Sequence, residues 1–262
     1  MTEKNSTFPN GRDAVLLLVA LFLLEYMLGM LLDAANTVLD MEELALSGIV
    51  TLLANGAILT AVMHHKGLTF RQLFHSGSAS AKATLLVLAP AIAMTVPALI
   101  FIVSMLVTVV ARLFPLSAAD EAMFNEMGSG NFVSLVLACI LSPVLEEMLF
   151  RGVILRSFLQ QYARWPAIMG TAVLFGVAHM NIYQFGVGIV LGLYLGWLYE
   201  RTRSLLPCIA LHAAYNTTLM TIAQADSAAG FSDAFLASAL VFGIAGTFML
   251  RRMLVPQKVA GR

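Results

Sequence analysis

Long apolar runs are the feature that most constrains how this chain folds. A helix that crosses a bilayer needs about 20 mostly apolar residues, because the hydrocarbon core is about 30 Å thick. Such runs recur along the sequence, so that 60% of the 262 residues are hydrophobic and only 11% are charged. The runs are continuous and do not alternate with polar residues, which favours helices over strands. We therefore predict an all-α fold, a polytopic membrane helix bundle of about eight transmembrane helices.

No linker divides the chain, so we predict a single transmembrane helical domain over residues 14–250. Residues 1–13 are expected to form a cytoplasmic N-terminal segment, and residues 251–262 a cytoplasmic C-terminal tail. The first segment is mixed in charge and the apolar run after it has full span length, which is not typical of a cleaved signal peptide. The eight predicted spans cover approximately residues 14–32, 44–63, 84–111, 132–155, 166–180, 183–199, 205–223 and 235–250.

The basic residues lie almost entirely on one side of these predicted spans. When the loops are assigned to alternate sides, 14 of the 15 Lys and Arg residues share one side, and only Arg112 lies on the other. Cytoplasmic loops carry the excess of Lys and Arg in membrane proteins. We therefore expect both termini in the cytoplasm, an even number of spans, and an integral multi-pass protein of a bacterial inner membrane.

Net charge and cysteine content exclude other classes of protein. The 15 basic and 15 acidic residues cancel, so a nucleic-acid partner bound through a basic patch is excluded. Two cysteines, Cys139 and Cys208, are too few for a disulfide scaffold or a cysteine-cluster metal site. We therefore expect the chain to contact the lipid bilayer and a substrate that it takes from the bilayer.

Ionisable side chains inside four spans are the exception to the apolar pattern. A charge inside a span costs at least a few kcal/mol and indicates a functional site by default. Helical rise places Glu146 about 14 Å, His212 about 10 Å and His179 about 20 Å from the cytoplasmic end of their spans, so these groups can share one cavity. Glu25, midway along the first span, lies about as deep but has no partner that the sequence identifies.

The fourth span carries two adjacent carboxylates and an arginine. Glu147 and Arg151 are four residues apart, in the order that favours an ion pair on one helix face. Glu146 has Phe150 at the corresponding position and is left as a free carboxylate, which suits a general base. The alternative for Glu146 is a protonated packing residue or a carboxylate that shares Arg151.

Two further spans supply imidazole and amide groups. His212 and Asn216 are four residues apart and therefore point the same way, and His179 closes the fifth span. Alone, each could be an ordinary capping or interhelical contact. Together, a carboxylate, two imidazoles and an amide around one cavity suit hydrolysis by an activated water. A zinc site built from Glu146, His179 and His212 is the alternative, although no H-E-x-x-H sequence is present.

Three ordered motifs resemble those of a known family. Glu146-Glu147-x-x-x-Arg151, Phe175-x-x-x-His179 and His212-x-x-x-Asn216 are similar to the motifs of the CPBP intramembrane proteases, which include the CAAX prenyl endopeptidases of the Rce1 type and the bacterial Abi, or bacteriocin-immunity, proteins. The resemblance covers about residues 130–220.

The resemblance implies a role for each motif residue. Glu146 and His179 would activate water, and His212 and Asn216 would form the oxyanion hole. Glu147 and Arg151 would support them. We thus expect an intramembrane endopeptidase that acts on a peptide or membrane-protein substrate without a cofactor, with zinc as the alternative. Two other functions stay open, namely a proton-coupled transporter and a non-catalytic membrane immunity or scaffold protein.

Overall fold

The computed structural model describes residues 8–127, 130–224 and 233–254. These residues form ten helices and no β-strand, which confirms the predicted all-α fold class. The helices are α1 (Gly11–Leu39), α2 (Glu43–Lys66), α3 (Phe70–Phe74), α4 (Ala81–Leu113), α5 (Ala118–Met127), α6 (Phe132–Gln161), α7 (Arg164–Ala178), α8 (Ile182–Thr202), α9 (Leu205–Gln224) and α10 (Asp233–Leu254).

Each of the eight predicted spans corresponds to one helix, but one helix is short. Within the described residues, seven helices are long and apolar enough to cross a membrane, and α7 has only 15 residues. At 1.5 Å per residue, α7 is about 22 Å long, less than the thickness of the hydrocarbon core. The chain is an integral multi-pass membrane protein.

Helix-capping residues set the helix ends that apolar runs do not show. The predicted first span begins at residue 14, whereas α1 begins at Gly11 because Asn10 and Asp13 form a capping box there. The helix ends before Asp40, which adopts a left-handed conformation. Most of the predicted terminal segments 1–13 and 251–262 lies outside the described residues.

Helix α8 packs against α7, α4 and α9, and α4 packs in turn against α9 and α10. A stripe of Gly188, Gly192 and Gly196 on α8 faces α7. A methyl group added at Gly192 would lie 2.9 Å from the Cα atom of Ala172 on α7, so only a residue without a side chain permits this approach. Helix α1 is peripheral, because it packs mainly on α2.

Helix α6 is continuous but contains two π-helical segments, at Leu137–Leu141 and Met148–Leu155. A π segment adds a residue to a helical turn and is frequent at functional sites. The α-helical piece between them, Ser142–Glu147, carries both adjacent carboxylates. The geometry of this helix therefore decides where the motif side chains point.

Candidate active site

Glu147 connects two helices through a buried network of charges. Its Oε1 atom accepts a hydrogen bond from Nη1 of Arg151 at 2.8 Å, and both side chains are almost fully inaccessible to solvent. The same oxygen lies 3.0 Å from Nδ1 of His212, on α9. The predicted ion pair is present, and the carboxylate that makes it also orients an imidazole.

Arg151 is held in place from two further sides. Its Nη2 atom donates to the backbone oxygen of Gly192 at 3.4 Å, a contact that the close approach of α8 allows. Its guanidinium lies over the ring of Phe175, 4.5 Å from the centroid. These contacts offset part of the free-energy cost of burying the Arg151 guanidinium.

The second nitrogen of His212 points toward the other carboxylate. Nε2 lies 3.8 Å from Oε2 of Glu146, too far for a direct hydrogen bond. This Oε2 atom is buried and has no hydrogen-bond partner within the described parts of the chain, while the Glu146 side chain as a whole is 28% exposed. Since Nδ1 faces Glu147, His212 lies between the two adjacent carboxylates of α6.

His179 is oriented by its own helix. Its Nδ1 atom lies 2.8 Å from the backbone oxygen of Phe175, so we assign the proton to Nδ1 and a free lone pair to Nε2. The Phe175 ring makes edge contacts with both histidines, with centroid distances of 5.0 Å to His179 and 5.9 Å to His212. Phe175 therefore packs between the two imidazoles.

The turn after His179 is fixed from outside the bundle by α5. Met180 adopts a left-handed conformation, and Asn181 then begins α8 and donates to Asp120 at 3.0 Å. Hydrogen bonds from Ser117 and then from Asn181 lower the pKa of the Asp120 carboxyl. This carboxylate joins α5 to the connection that carries His179.

The side chain of Asn216 donates to a backbone carbonyl of α6 that receives no N–H from its own helix. In the first π segment, the N–H of Ser142 donates to the oxygen of Leu137, five residues earlier. The next N–H in that pattern would belong to residue 143 and reach Ala138, but Pro143 has no N–H. The Nδ2 atom of Asn216 donates to the Ala138 oxygen instead, at 2.7 Å.

A cavity of about 220 Å³ lies beside these groups. It has room for roughly seven water molecules at about 30 Å³ each. Apolar side chains make up the rest of its wall, and His212 and Asn216 are not part of it. The polar residues of the wall are Glu25, Thr51, Asn55, Ser142, Glu146 and His179.

The structure brings Glu146, Glu147, Arg151 and His212 into direct proximity and places His179 in the same cavity as Glu146. Asn216 lies one helical turn from His212, with its amide bound to α6. Asn55 is a further polar residue of the cavity that the motifs do not include, and its Nδ2 atom lies 3.3 Å from Oε1 of Glu25. A lone amide in an otherwise apolar span was the available signal.

The predicted alternative zinc ligands do not fit a metal site as they stand. Zinc needs three protein ligands close to one point, and the described residues contain no group of three His, Cys, Asp or Glu side chains that could hold a metal ion. Nδ1 of His179 and Nδ1 of His212 are both hydrogen-bonded to protein oxygens, so Nε2 is the nitrogen of each ring that a metal could bind. The predicted absence of a cofactor stays a prediction.

Comparison with known proteins gives a family match over the motif region and a distant curated relative. Residues 128–218 match the family model described as type II CAAX prenyl endopeptidase Rce1-like. A Bacillus subtilis (strain 168) protein named as a candidate membrane peptidase, YdiL, is 26% identical over 83 residues, which are 32% of this chain and 34% of that protein. The match thus spans about a third of the curated relative. No solved structure matches the chain significantly.

Proposed function

We propose that this chain, a CPBP family protein by its match over residues 128–218, is an intramembrane endopeptidase that needs no metal. The observation that carries the proposal is the shared cavity of Glu146 and His179, backed by an imidazole that Glu147 orients. Hydrolysis inside a bilayer requires a space large enough to admit water beside a proton acceptor, and this cavity has the volume and the Glu146 carboxylate for it.

Glu146 and His179 are the groups we propose for water activation. Glu146 takes a proton from the water, and Nε2 of His179 accepts the second O–H of the same water and so orients it. The resulting hydroxide attacks the carbonyl carbon of the scissile peptide bond. The proton on Glu146 then passes to the leaving nitrogen as the C–N bond breaks, which returns Glu146 to its starting form.

His212 and Asn216 are proposed to stabilise the oxyanion. When His212 is protonated, Nδ1–H donates to Glu147 and Nε2–H is available to the oxyanion, with the Glu147 carboxylate stabilising the imidazolium. One N–H of Asn216 is engaged by Ala138, which leaves the second N–H of its amide group for the substrate. Arg151 contacts no reacting atom in this scheme, and it balances the charge of Glu147.

The test is cleavage of a peptide library by detergent-purified protein, followed by mass spectrometry of the products. We expect Glu146→Gln to lower kcat/KM by about 10² to 10⁴, the range for loss of a general base, and His179→Gln to lower it by a similar factor. Glu121→Gln, which changes an exposed carboxylate on α5, is the matched control and should leave activity unchanged. A Glu146→Gln variant with full activity would overturn the proposal.

Treatment with a chelator distinguishes the proposed metal-free mechanism from a zinc-dependent one. The metal-free scheme predicts that wild-type activity survives prolonged treatment with EDTA or 1,10-phenanthroline. Activity that disappears on chelation and returns with added Zn²⁺ would instead require a metal-bound arrangement of Glu146, His179 and His212 that differs from the one described above.

A further inference from the structure

Glu25 is a membrane-embedded carboxylate that the proposed reaction does not use. It lies on α1, fourteen residues after Gly11, so helical rise places it about 21 Å along the helix. It lines the same cavity as Glu146 and His179. Both α1 and α2 lie outside the residues that match the family model, so its role has to come from the structure.

A buried amide fixes the position of Glu25. Asn55 on α2 is only 6% exposed. Its Nδ2 atom donates to the backbone oxygen of Thr51 at 3.0 Å and to Oε1 of Glu25 at 3.3 Å. The bond to Thr51 sets the orientation of the amide on its own helix, and the amide then directs the carboxylate. Glu25 is therefore a held group and not a freely rotating one.

Within the described residues, no protein cation neutralises the Glu25 carboxylate. Glu25 forms no ion pair with any Lys, Arg or His in the described ranges, and the lining of the cavity includes two carboxylates and no Lys or Arg. Arg151, the buried guanidinium of the site, is paired with Glu147. Oε2 of Glu146 also lacks a hydrogen-bond donor within the described residues. The cavity thus offers hydrogen-bond acceptors and negative charge to whatever enters it.

We propose that Glu25, held by Asn55, binds a Lys or Arg side chain of the substrate beside the scissile bond. This inference rests on the proposed peptidase function and names its substrate class. Charged groups interact strongly where water is scarce, and hydrogen bonds to charged groups are among the stronger ones. Lys and Arg are concentrated at the cytoplasmic flank of membrane segments, so membrane-protein substrates carry basic residues next to the bonds that can enter from that side.

A lysine scan tests the proposal. In a peptide that the wild type cleaves, each residue within four positions of the scissile bond is replaced in turn by lysine and by norleucine, which has a similar alkyl chain without the charge. We expect one position at which lysine raises kcat/KM over norleucine by about tenfold or more. In Glu25→Gln, which keeps an acceptor for Asn55, the ratio of kcat/KM for the lysine peptide to that for the norleucine peptide should fall to about one.

Charge reversal provides the second arm. Glu25→Lys should cleave the peptide with glutamate at the same position better than the peptide with lysine. A wild type that cleaves the lysine and norleucine peptides equally at every position would overturn the inference and leave the peptidase function intact. So would a lysine preference that Glu25→Gln retains. A wild type that cleaves no peptide would instead contradict the proposed function.

Discussion

Glu147 is the residue on which the arrangement of buried charges depends. One of its oxygens contacts both Arg151 and His212, so it balances a buried cation and orients an imidazole at once. The spacing within α6 was enough to predict the first contact, because residues four apart share a helix face. The second contact joins α6 to α9, and no spacing rule relates two positions so distant in the chain.

Substitutions of Glu147 and of its neighbour Glu146 are expected to change the free energy of unfolding by different amounts. Glu147→Gln leaves Arg151 as an uncompensated buried charge, and we expect it to lower the free energy of unfolding by about 3–5 kcal/mol. Glu146→Gln should change stability little, since no hydrogen bond within the described residues depends on its carboxylate oxygens, and should lower kcat/KM by about 10² to 10⁴. Thermal unfolding in detergent, measured beside peptidase activity, compares the two.

A double variant provides the control for this prediction. Glu147→Gln combined with Arg151→Met removes both charges and should be more stable than Glu147→Gln alone, because the uncompensated cation is gone. Equal thermal stability of Glu146→Gln and Glu147→Gln would contradict the assignment of different roles to the two carboxylates.

At the scale of the element, α6 shows what an apolar run cannot reveal. The run predicted a helix over residues 132–155, and α6 extends over Phe132–Gln161 with two π segments. Hydropathy is the same in α and π geometry, so the pattern contains no signal for the extra residue in each segment. Pro143 is visible in the sequence, and it has no N–H to donate. Which carbonyl oxygen lacks a donor as a result depends on whether the helix has α or π geometry at that point.

The hydrogen bond from Asn216 to the Ala138 oxygen of α6 gives a prediction at the scale of the element. Asn216→Leu leaves the partly buried Ala138 oxygen without its side-chain donor, and we expect a loss of about 1–3 kcal/mol of stability. Pro143→Ala restores a backbone N–H at the required position. The double variant should therefore be more stable than Asn216→Leu alone, as measured by thermal unfolding in detergent.

Additive effects of these two substitutions would show that the Asn216 amide does not replace the proline N–H. Asn216→Leu should also reduce cleavage, and Pro143→Ala should not restore it if the second N–H of the amide binds the oxyanion. Activity and stability thus report on different hydrogen bonds of the same side chain.

At the scale of the whole molecule, the sequence predicted the architecture well and the cavity less well. Long apolar runs are sufficient to locate the helices of a multi-pass protein. The shortness of α7 depends on residues at its ends, such as His179 and the left-handed Met180. The contribution of α1 and α2 to the cavity depends on helix packing, and Glu25 accordingly had no partner until Asn55 was located beside it.

Orientation across the membrane is the prediction that belongs to the whole chain. The distribution of Lys and Arg predicts that both termini are cytoplasmic. Reporter fusions at each terminus should be active when the reporter folds only in the cytoplasm and inactive when it folds only outside. A fusion within residues 114–117, after α4, should give the opposite result. Termini on opposite sides would mean that α7 does not cross the bilayer.

The two π segments of α6 also make the length of this helix a constraint in itself. Removing one residue from Leu137–Leu141 would let the backbone relax to ordinary α geometry, so the helix would survive the change. Residues beyond the deletion would keep approximately their present direction, because the residue removed is the extra one of the π turn, so Glu146 would still face the cavity wall that it shares with His179. Removing one residue where the helix has α geometry on both sides would instead turn everything beyond the deletion by about 100°. Counting residues along α6 is thus as informative as reading them, because whether the motif groups stay together after a single-residue deletion depends on whether a π turn absorbs it.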